Sequence, residues 1–384
     1  MAKIGFTVSD GSDLGDLLVP RDIFSEGGLW SCGYNNNGQL GDNSTASKSS
    51  PVQTIAWGTN WKQASFGGSH TSAIKTDGTL WSWGINFGNL GDNTVTSRSS
   101  PVQTITFGTN WKQVACGSNF TSAVKTDGTL WTWGQNTYGQ LGDNSVTPRS
   151  SPVQTVSFGN NWKQVACGYH TAAIKTDGTL WIWGLNTNGQ LGNNTANNTS
   201  SPVQTVALGT NWKQVSVGRY HTAAIKTDGT LWLWGDAVRG QLGDNTLTDK
   251  SSPVQTIALG TNWKQVSCGY HTAAIKTDGT LWLWGDNGSG QLGDNTRTAK
   301  SSPVQTITFG TNWKQVAGGY LNTAAIKTDG TLWTWGDNSR GQLGDNTIAS
   351  KSSPVQTIAL GTNWKQVSLS VVGGYNTVIV KDDM

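Results

Sequence analysis

The sequence predicts an all-β protein, a closed seven-bladed β-propeller of four-stranded blades, on three observations. A unit of 50 or 51 residues recurs around the chain, no helical period competes within it, and one element missing at the C-terminus is found at the N-terminus. LWxWG stands at Leu80–Gly84, Leu130–Gly134, Leu180–Gly184, Leu231–Gly235, Leu281–Gly285 and Leu332–Gly336, with the variant LWSCG at Leu29–Gly33. SPVQT and NWKQ each occur seven times, starting at Ser50 and Asn60 and ending with the copies at Ser353 and Asn363. A unit of this length exceeds a leucine-rich or ankyrin repeat and suits one propeller blade.

Each unit reads as four short strands, in one copy 203–208 (VQTVAL), 213–217 (KQVSV), 222–226 (TAAIK) and 231–235 (LWLWG). Between the last two lies Asp228-Gly229, repeated as Asp77-Gly78, Asp127-Gly128, Asp177-Gly178, Asp278-Gly279 and Asp329-Gly330. Asp-Gly between β runs predicts a tight hairpin with positive φ at both central residues.

The chain ends TVIVKDDM from Thr377, which matches TAAIKTDG and stops before LWxWG. The missing copy is Leu29–Gly33. The expectation is a shared blade with three strands from the C-terminal end and one from the N-terminal end, which removes exposed sheet edges. Residues 1–27 then form a non-repeat leader and 28–384 the propeller.

Twenty of the 21 Trp residues lie in LWxWG or NWKQ, the exception being Trp57. A buried Trp removes up to about 200 Å² from water, worth at most roughly 5 kcal/mol. Recurrence on alternating strand positions assigns these indoles to packing between blades rather than to sugar stacking or light absorption.

Composition narrows the function classes. Length alone suggests two or three domains, but one ring uses the whole chain. Charged residues are 13% of the chain, Gly numbers 50 and the net charge is +3, so nothing suggests a nucleic-acid-binding surface or basic membrane patch. The lysines read as solvated strand edges and turns. Cys116, Cys167 and Cys268 share a repeat position with Phe66, Val217 and Gly318, so they read, with Cys32, as buried reduced thiols without metal-ligand spacing. The opening MAKIGFTVSDG lacks a secretory apolar core, and no run of about 18 apolar residues spans a membrane, which implies synthesis in a cytoplasm.

Four histidines, His70, His170, His221 and His271, share one position, which carries Phe120, Asn322 or Asn376 elsewhere. A metal ring would need all its ligands, so the histidines read as structural, bonding backbone within their own blade. Asp42, Asp92, Asp143, Asp244, Asp294 and Asp345 open GDN turns, with Asn193 in the remaining copy. They could form a calcium-binding rim, but Asp-Asn in a Gly-flanked turn is more often a local backbone cap. Glu occurs once, at Glu26, and no nucleophile elbow or phosphate loop is present. No catalytic residue, cofactor or metal is expected, because every candidate is copied around the ring.

Two stretches vary between copies. Asn37, Phe87, Tyr138, Asn188, Arg239, Ser289 and Arg340 precede GQLG, and Thr45, Val95, Val146, Ala196, Leu247, Arg297 and Ile348 follow GDN. Loops on a rigid scaffold carry recognition, and aromatic or Arg tips anchor interfaces. Phe87, Tyr138, Arg239, Arg297, Arg340, Leu247 and Ile348 are the candidate binding residues, against drift at unconstrained tips.

The string GYHTAAIKTDGTLWLWGDNGSGQLGDN, from Gly269 to Asn295, resembles the repeat of the regulator-of-chromosome-condensation family, marked by GxxHTxA, WxWGxN and GQLG. The resemblance recurs in every blade and implies a seven-bladed propeller with a blade shared between the termini. The family's founding member is a nucleotide-exchange factor that uses a protruding β-wedge, for which uniform repeats leave no insertion. Its plant ultraviolet photoreceptor uses Trp in GWRHT motifs, where this chain reads GRYHT at 218–222 and GYHT elsewhere. Neither role is supported, since fold does not carry function.

The leader, KIGFTVSDGSDLGDLLVPRDIF, resembles the opening of virion proteins of marine tailed phages. The leading expectation is a non-enzymatic virion component, assembled in the host cytoplasm, for assembly, decoration or host attachment. Its partners would be other virion proteins through the leader, or a host-surface protein or glycan through the loop tips. A free cytoplasmic lectin-like or protein-binding module is the alternative, and a small-GTPase exchange regulator is third.

Overall fold

The computed structural model describes residues 28–381 apart from 56–59, 106–107, 157–158, 208, 259, 308–309 and 359–360. The leader, with its expected docking role, lies outside the described residues. Among the described residues, twenty-eight strands form seven four-stranded antiparallel sheets arranged as blades of a closed ring. In one blade, from the centre outward, they are Trp212–Val217, His221–Lys226, Leu231–Gly235 and Lys250–Gln255. The innermost strands surround a narrow central cavity of about 220 Å³.

The ring closes through a shared blade, as the chain ends imply, but with a different division. Its order is Lys48–Gln53, Leu29–Gly33, Asn376–Lys381, Trp364–Leu369, two strands from each end rather than three and one. Leu29 pairs with Val380 and Gly33 with Asn376. The SPVQ strand is the outermost strand of the preceding blade, Trp232 pairing with Gln255 and Leu233 with Val254. It therefore runs Thr199–Gln204 where 203–208 was expected. Pro202 fits there because an edge strand has no neighbour on its outer side to need the missing N–H.

The Asp-Gly hairpins also differ from expectation. Only the glycine has positive φ, 81° at Gly229. Lys226 N donates to Thr230 O and Gly229 N to Lys226 O, both at 3.0 Å, so the loop has three residues and ends on a left-handed glycine.

Indoles fill the seams between blades, as their periodicity predicts. Trp263 of one blade packs with Leu231, Leu233 and Ala223 of its neighbour and with Trp284 of its own sheet, ring centroids 6.0 Å apart and 61° inclined. Six blades hold such a pair. In the shared blade Cys32 stands where the second Trp would be.

Three belts of hydrogen bonds join consecutive blades. At the centre the NWKQ glutamine clasps the next blade's backbone in both directions: Gln113 Nε2 donates to Val165 O at 3.0 Å, and Val165 N donates to Gln113 Oε1 at 3.0 Å. Midway, the carbonyl of GQLG glutamine accepts from two side chains of the following blade, Gln190 O from Thr222 Oγ1 and Trp234 Nε1, both at 2.9 Å. At the rim the GDN asparagine N–H reaches the next outer strand, Asn245 N to Ser301 O at 2.9 Å. That asparagine is left-handed in all seven copies, φ 61° at Asn245, a region Asn tolerates better than other side chains.

Candidate functional site

Antiparallel order places alternate turns on alternate ends of the ring. The turns between first and second strands therefore share one face with the long connections that carry GQLG and GDN, and the Asp-Gly hairpins occupy the other. The first turns crown the central cavity and bond one another through backbone, Arg219 N to Gly269 O at 3.2 Å, Tyr270 N to Gly319 O at 3.2 Å and Tyr320 N to Ser370 O at 2.7 Å.

All seven tyrosines of the chain sit half-buried on this face. Tyr169, Tyr220, Tyr270, Tyr320 and Tyr375 come from the first turns of five successive blades, and Tyr138 and Tyr34 from the connections outside them. Tyr138 meets Tyr169 edge-on at 6.5 Å, Tyr169 stacks on Tyr220 at 5.4 Å and 15°, Tyr270 meets Tyr320 at 4.7 Å, and Tyr320 meets Tyr375 at 5.8 Å. Arg219 bridges the two halves of the arc. Its guanidinium lies 4.9 Å from the centroids of Tyr220 and Tyr270, 5.5 Å from Tyr320 and 5.8 Å from Tyr169. Its Nη1 donates to the hydroxyls of Tyr270 and Tyr320. Burial pushes the Tyr270 phenol up to about 12, against the opposing pull of Arg219.

Carboxylates edge the arc on three blades. Gln241 Nε2 donates to Asp236 at 2.6 Å, Gln291 to Asp286 at 2.6 Å and Gln342 to Asp337 at 2.7 Å. Burial raises Asp236 above the usual carboxylate range. Two blades carry Ser69 and Asn119 instead of Tyr, and beside that gap lies a cleft of about 310 Å³ lined by Phe87, Asn119, Gln135, Thr137 and Pro148.

The sequence-predicted tips fall into two groups. Four border the arc: Tyr138 belongs to it, Phe87 lines the cleft, Arg340 lies 5.4 Å over Tyr34, and Arg239 Nε is 4.0 Å from Asp286. Leu247, Arg297 and Ile348 stand exposed on the GDN connections at the outer rim. The first-turn tyrosines and Arg219 were missed. Superposing the GxHT turns would have found them, because there Ser69, Asn119 and five tyrosines break an otherwise copied position.

A family model described as RCC1-like domain matches residues 23–269 and 168–384. The chain belongs to the RCC1-like domain family. Human WBSCR16 is similar at 21% identity and TM-score 0.81, over 93% of this chain and 99% of that one. Prp20p from Saccharomyces cerevisiae, described with its binding properties to Gsp1p and histones, is 21% identical with TM-score 0.81, over 93% of this chain and 92% of that one. No curated protein matches the chain. At these identities the structural likeness concerns the fold, and an RCC1-like propeller is a protein-binding fold.

The copied polar residues of this RCC1-like ring are occupied by the framework. Each histidine bonds the next blade rather than its own: His70 Nε2 to Thr121 Oγ1 at 2.9 Å, His170 to Thr222 at 2.7 Å, His221 to Thr272 at 3.0 Å and His271 to Thr323 at 2.7 Å. Each threonine's proton goes to a GQLG-type carbonyl, such as Thr222 Oγ1 to Gln190 O, so Nε2 is the donating nitrogen. Burial lowers all four imidazoles to about 3. The GDN aspartates are local caps, Asp143 accepting from Ser145 N at 3.1 Å and Ser145 Oγ at 2.7 Å. They also pair with the base six positions on, Arg149 to Asp143 at 2.9 Å. The TAAIK lysines are not simply solvated. Lys226 Nζ lies 4.9 Å from Trp212 and 4.8 Å from Trp232, held between two indoles, and five other blades repeat the sandwich.

Proposed function

We propose that this RCC1-like propeller is a non-enzymatic recognition module that docks a protein on its tyrosine–arginine face, and that it does so as a component of a tailed-phage virion. The observation that carries the docking reading is the break in repeat symmetry: framework residues are copied around the ring, while the five turn tyrosines and Arg219 are confined to one arc. Tyr and Arg are among the residue types that dominate binding hot spots: Tyr buries a large area at little side-chain entropy cost and keeps a polar tip, and Arg adds a planar fork of donors. The binding of Prp20p to Gsp1p and histones supports a protein as the class of ligand. The virion placement is supported by the leader's resemblance and would put the partner on the particle or on the host surface.

The test is a photo-crosslinking amino acid at Tyr220 and, as a control, at Lys213 near the start of an innermost strand, on the opposite face. Both variants are incorporated in the full chain and recovered from purified particles. Products formed from position 220 only, with one defined protein, are expected. Absence of the chain from virions overturns the placement, and crosslinks only from position 213 overturn the docking face.

A further inference from the structure

We infer that the tyrosine arc receives a carboxylate side chain, an Asp or Glu of the protein partner, on Arg219. This rests on the docking reading above and names the chemistry that the arc selects.

Arg219 differs from most cations of its face, and from the equally unpaired Arg297 and Arg340 in standing among four tyrosine rings. Most loop cations are neutralised one by one: Lys48 by Asp42, Arg98 by Asp92, Arg149 by Asp143, Lys250 by Asp244, Lys300 by Asp294 and Lys351 by Asp345. Arg239 faces Asp286. Among the described residues Arg219 meets no carboxylate; its neighbours are four phenol rings and two phenol hydroxyls. It enters the arc through a turn of three residues, 218–220, where the neighbouring turns 168–169 and 269–270 have two.

The phenol hydroxyls also leave a donor for an incoming group. Nη1 supplies both hydroxyls, and Nε is buried without an acceptor among the described residues. Tyr270 and Tyr320 accept from Arg219, which leaves each phenol its own proton. The two phenols cannot both donate to each other, so at least one proton is available to an incoming oxygen. A guanidinium flanked by phenol donors on rigid rings is suited to a planar carboxylate, and charge-assisted bonds of this kind are the strong ones.

The surrounding charges choose a compact anion over an extended one. Asp236, whose N–H bonds Tyr220 O at 2.9 Å, together with Asp286 and Asp337 edges the same arc. A polyanion such as nucleic acid or a sulfated glycan would lie across these carboxylates. One acidic side chain inserted from above meets Arg219 alone.

The test selects random dodecapeptides displayed on a carrier against the full chain. The expected winners share an Asp or Glu and lose affinity on Tyr220→Ala or Tyr270→Ala. Arg219→Gln weakens them about tenfold or more, the acid-to-amide change in the peptide weakens them equally, and the two changes together add little beyond either. Winners that need the tyrosines but ignore Arg219→Gln overturn the carboxylate inference and leave the docking face standing. Winners indifferent to the tyrosines, or no winners at all, overturn both. Binding to acidic glycans that needs Arg219, without peptide winners, reassigns the cation to a sugar acid and overturns the inference.

Discussion

Gln366 holds Ala64 by both backbone groups: its Nε2 donates to Ala64 O at 3.1 Å, and Ala64 N donates to its Oε1 at 3.1 Å. The two residues are 302 positions apart and belong to the two sheets that meet at the ring's last seam. The same clasp joins every other pair of neighbours, from Gln63 and Val114 to Gln315 and Val367. Six copies align an array; the seventh makes it a ring. The glutamine of NWKQ is thus a closure device whose geometry depends on the blade-to-blade rotation being equal all round.

Gln366→Ala is expected to lower unfolding free energy by about 1–3 kcal/mol, because it leaves an N–H and a C=O of Ala64 without partners in a partly buried channel wall. Urea denaturation of the variant beside Gln164→Ala measures this. Similar losses at both positions are expected if the clasp is equivalent around the ring, and no loss at either would show that water replaces it at no cost.

Much of this architecture is legible in the sequence. Repeated Trp positions fixed the seams, and the misplaced LWSCG fixed the shared blade. The division of that blade was not legible, because alternation in VQT marks a strand without saying which LWxWG it lies beside; a long connection brings Lys48–Gln53 back along Leu29–Gly33. The histidines were placed in a structural role, yet their partner on the next blade, 51 or 52 positions further along the chain, is visible only once the chain between has folded. The tyrosine arc was hidden for the same reason. Tyr169, Tyr220, Tyr270, Tyr320 and Tyr375 each look like a neutral change at a framework turn, whereas the variable tips draw the eye. Their meaning lies in adjacency around the ring.

The four histidines make stability depend on pH with a defined sign. Burial lowers each folded-state imidazole from 6.5 to about 3. Between those values the unfolded chain binds protons that the folded chain refuses, so stability is fully present above about pH 6.5 and falls as pH drops toward 3. Each histidine contributes a slope of about 1.4 kcal/mol per pH unit through that window. Urea midpoints from pH 7 to pH 4 should therefore fall steeply. Replacing all four by Asn, the residue at Asn322 and Asn376, should flatten the profile; an unchanged slope would mean that carboxylates, not imidazoles, set it.

One blade carries a natural double replacement. Six GDN aspartates pair with a Lys or Arg at the start of the outer strand, and where the aspartate is Asn193 the base is Thr199. Asn193→Asp with Thr199→Lys should rebuild the pair. Because the lysines are about a third exposed, 32% at Lys48, the coupling in a double-mutant cycle should be only about 0.3–1 kcal/mol and should shrink in high salt. Strict additivity of the two single changes would show that the pairing is incidental to the cap.

The four thiols report on where the ring opens. All are buried, and burial pushes Cys32, Cys167 and Cys268 up to about 12 and Cys116 to about 11, so none should react with a thiol reagent in the folded protein. Cys32 lies in the shared blade, where it replaces an indole and its Sγ donates weakly to Gln342 O at 3.5 Å, the carbonyl that elsewhere takes a Trp N–H. Less apolar area is buried at that seam, and its strands come from opposite ends of the chain, so no hairpin loop joins Leu29–Gly33 to Asn376–Lys381. In submolar denaturant, pulsed alkylation should modify Cys32 before Cys116, Cys167 and Cys268. Simultaneous labelling of all four would instead make the ring one cooperative unit, with the chemical seam no weaker than the rest.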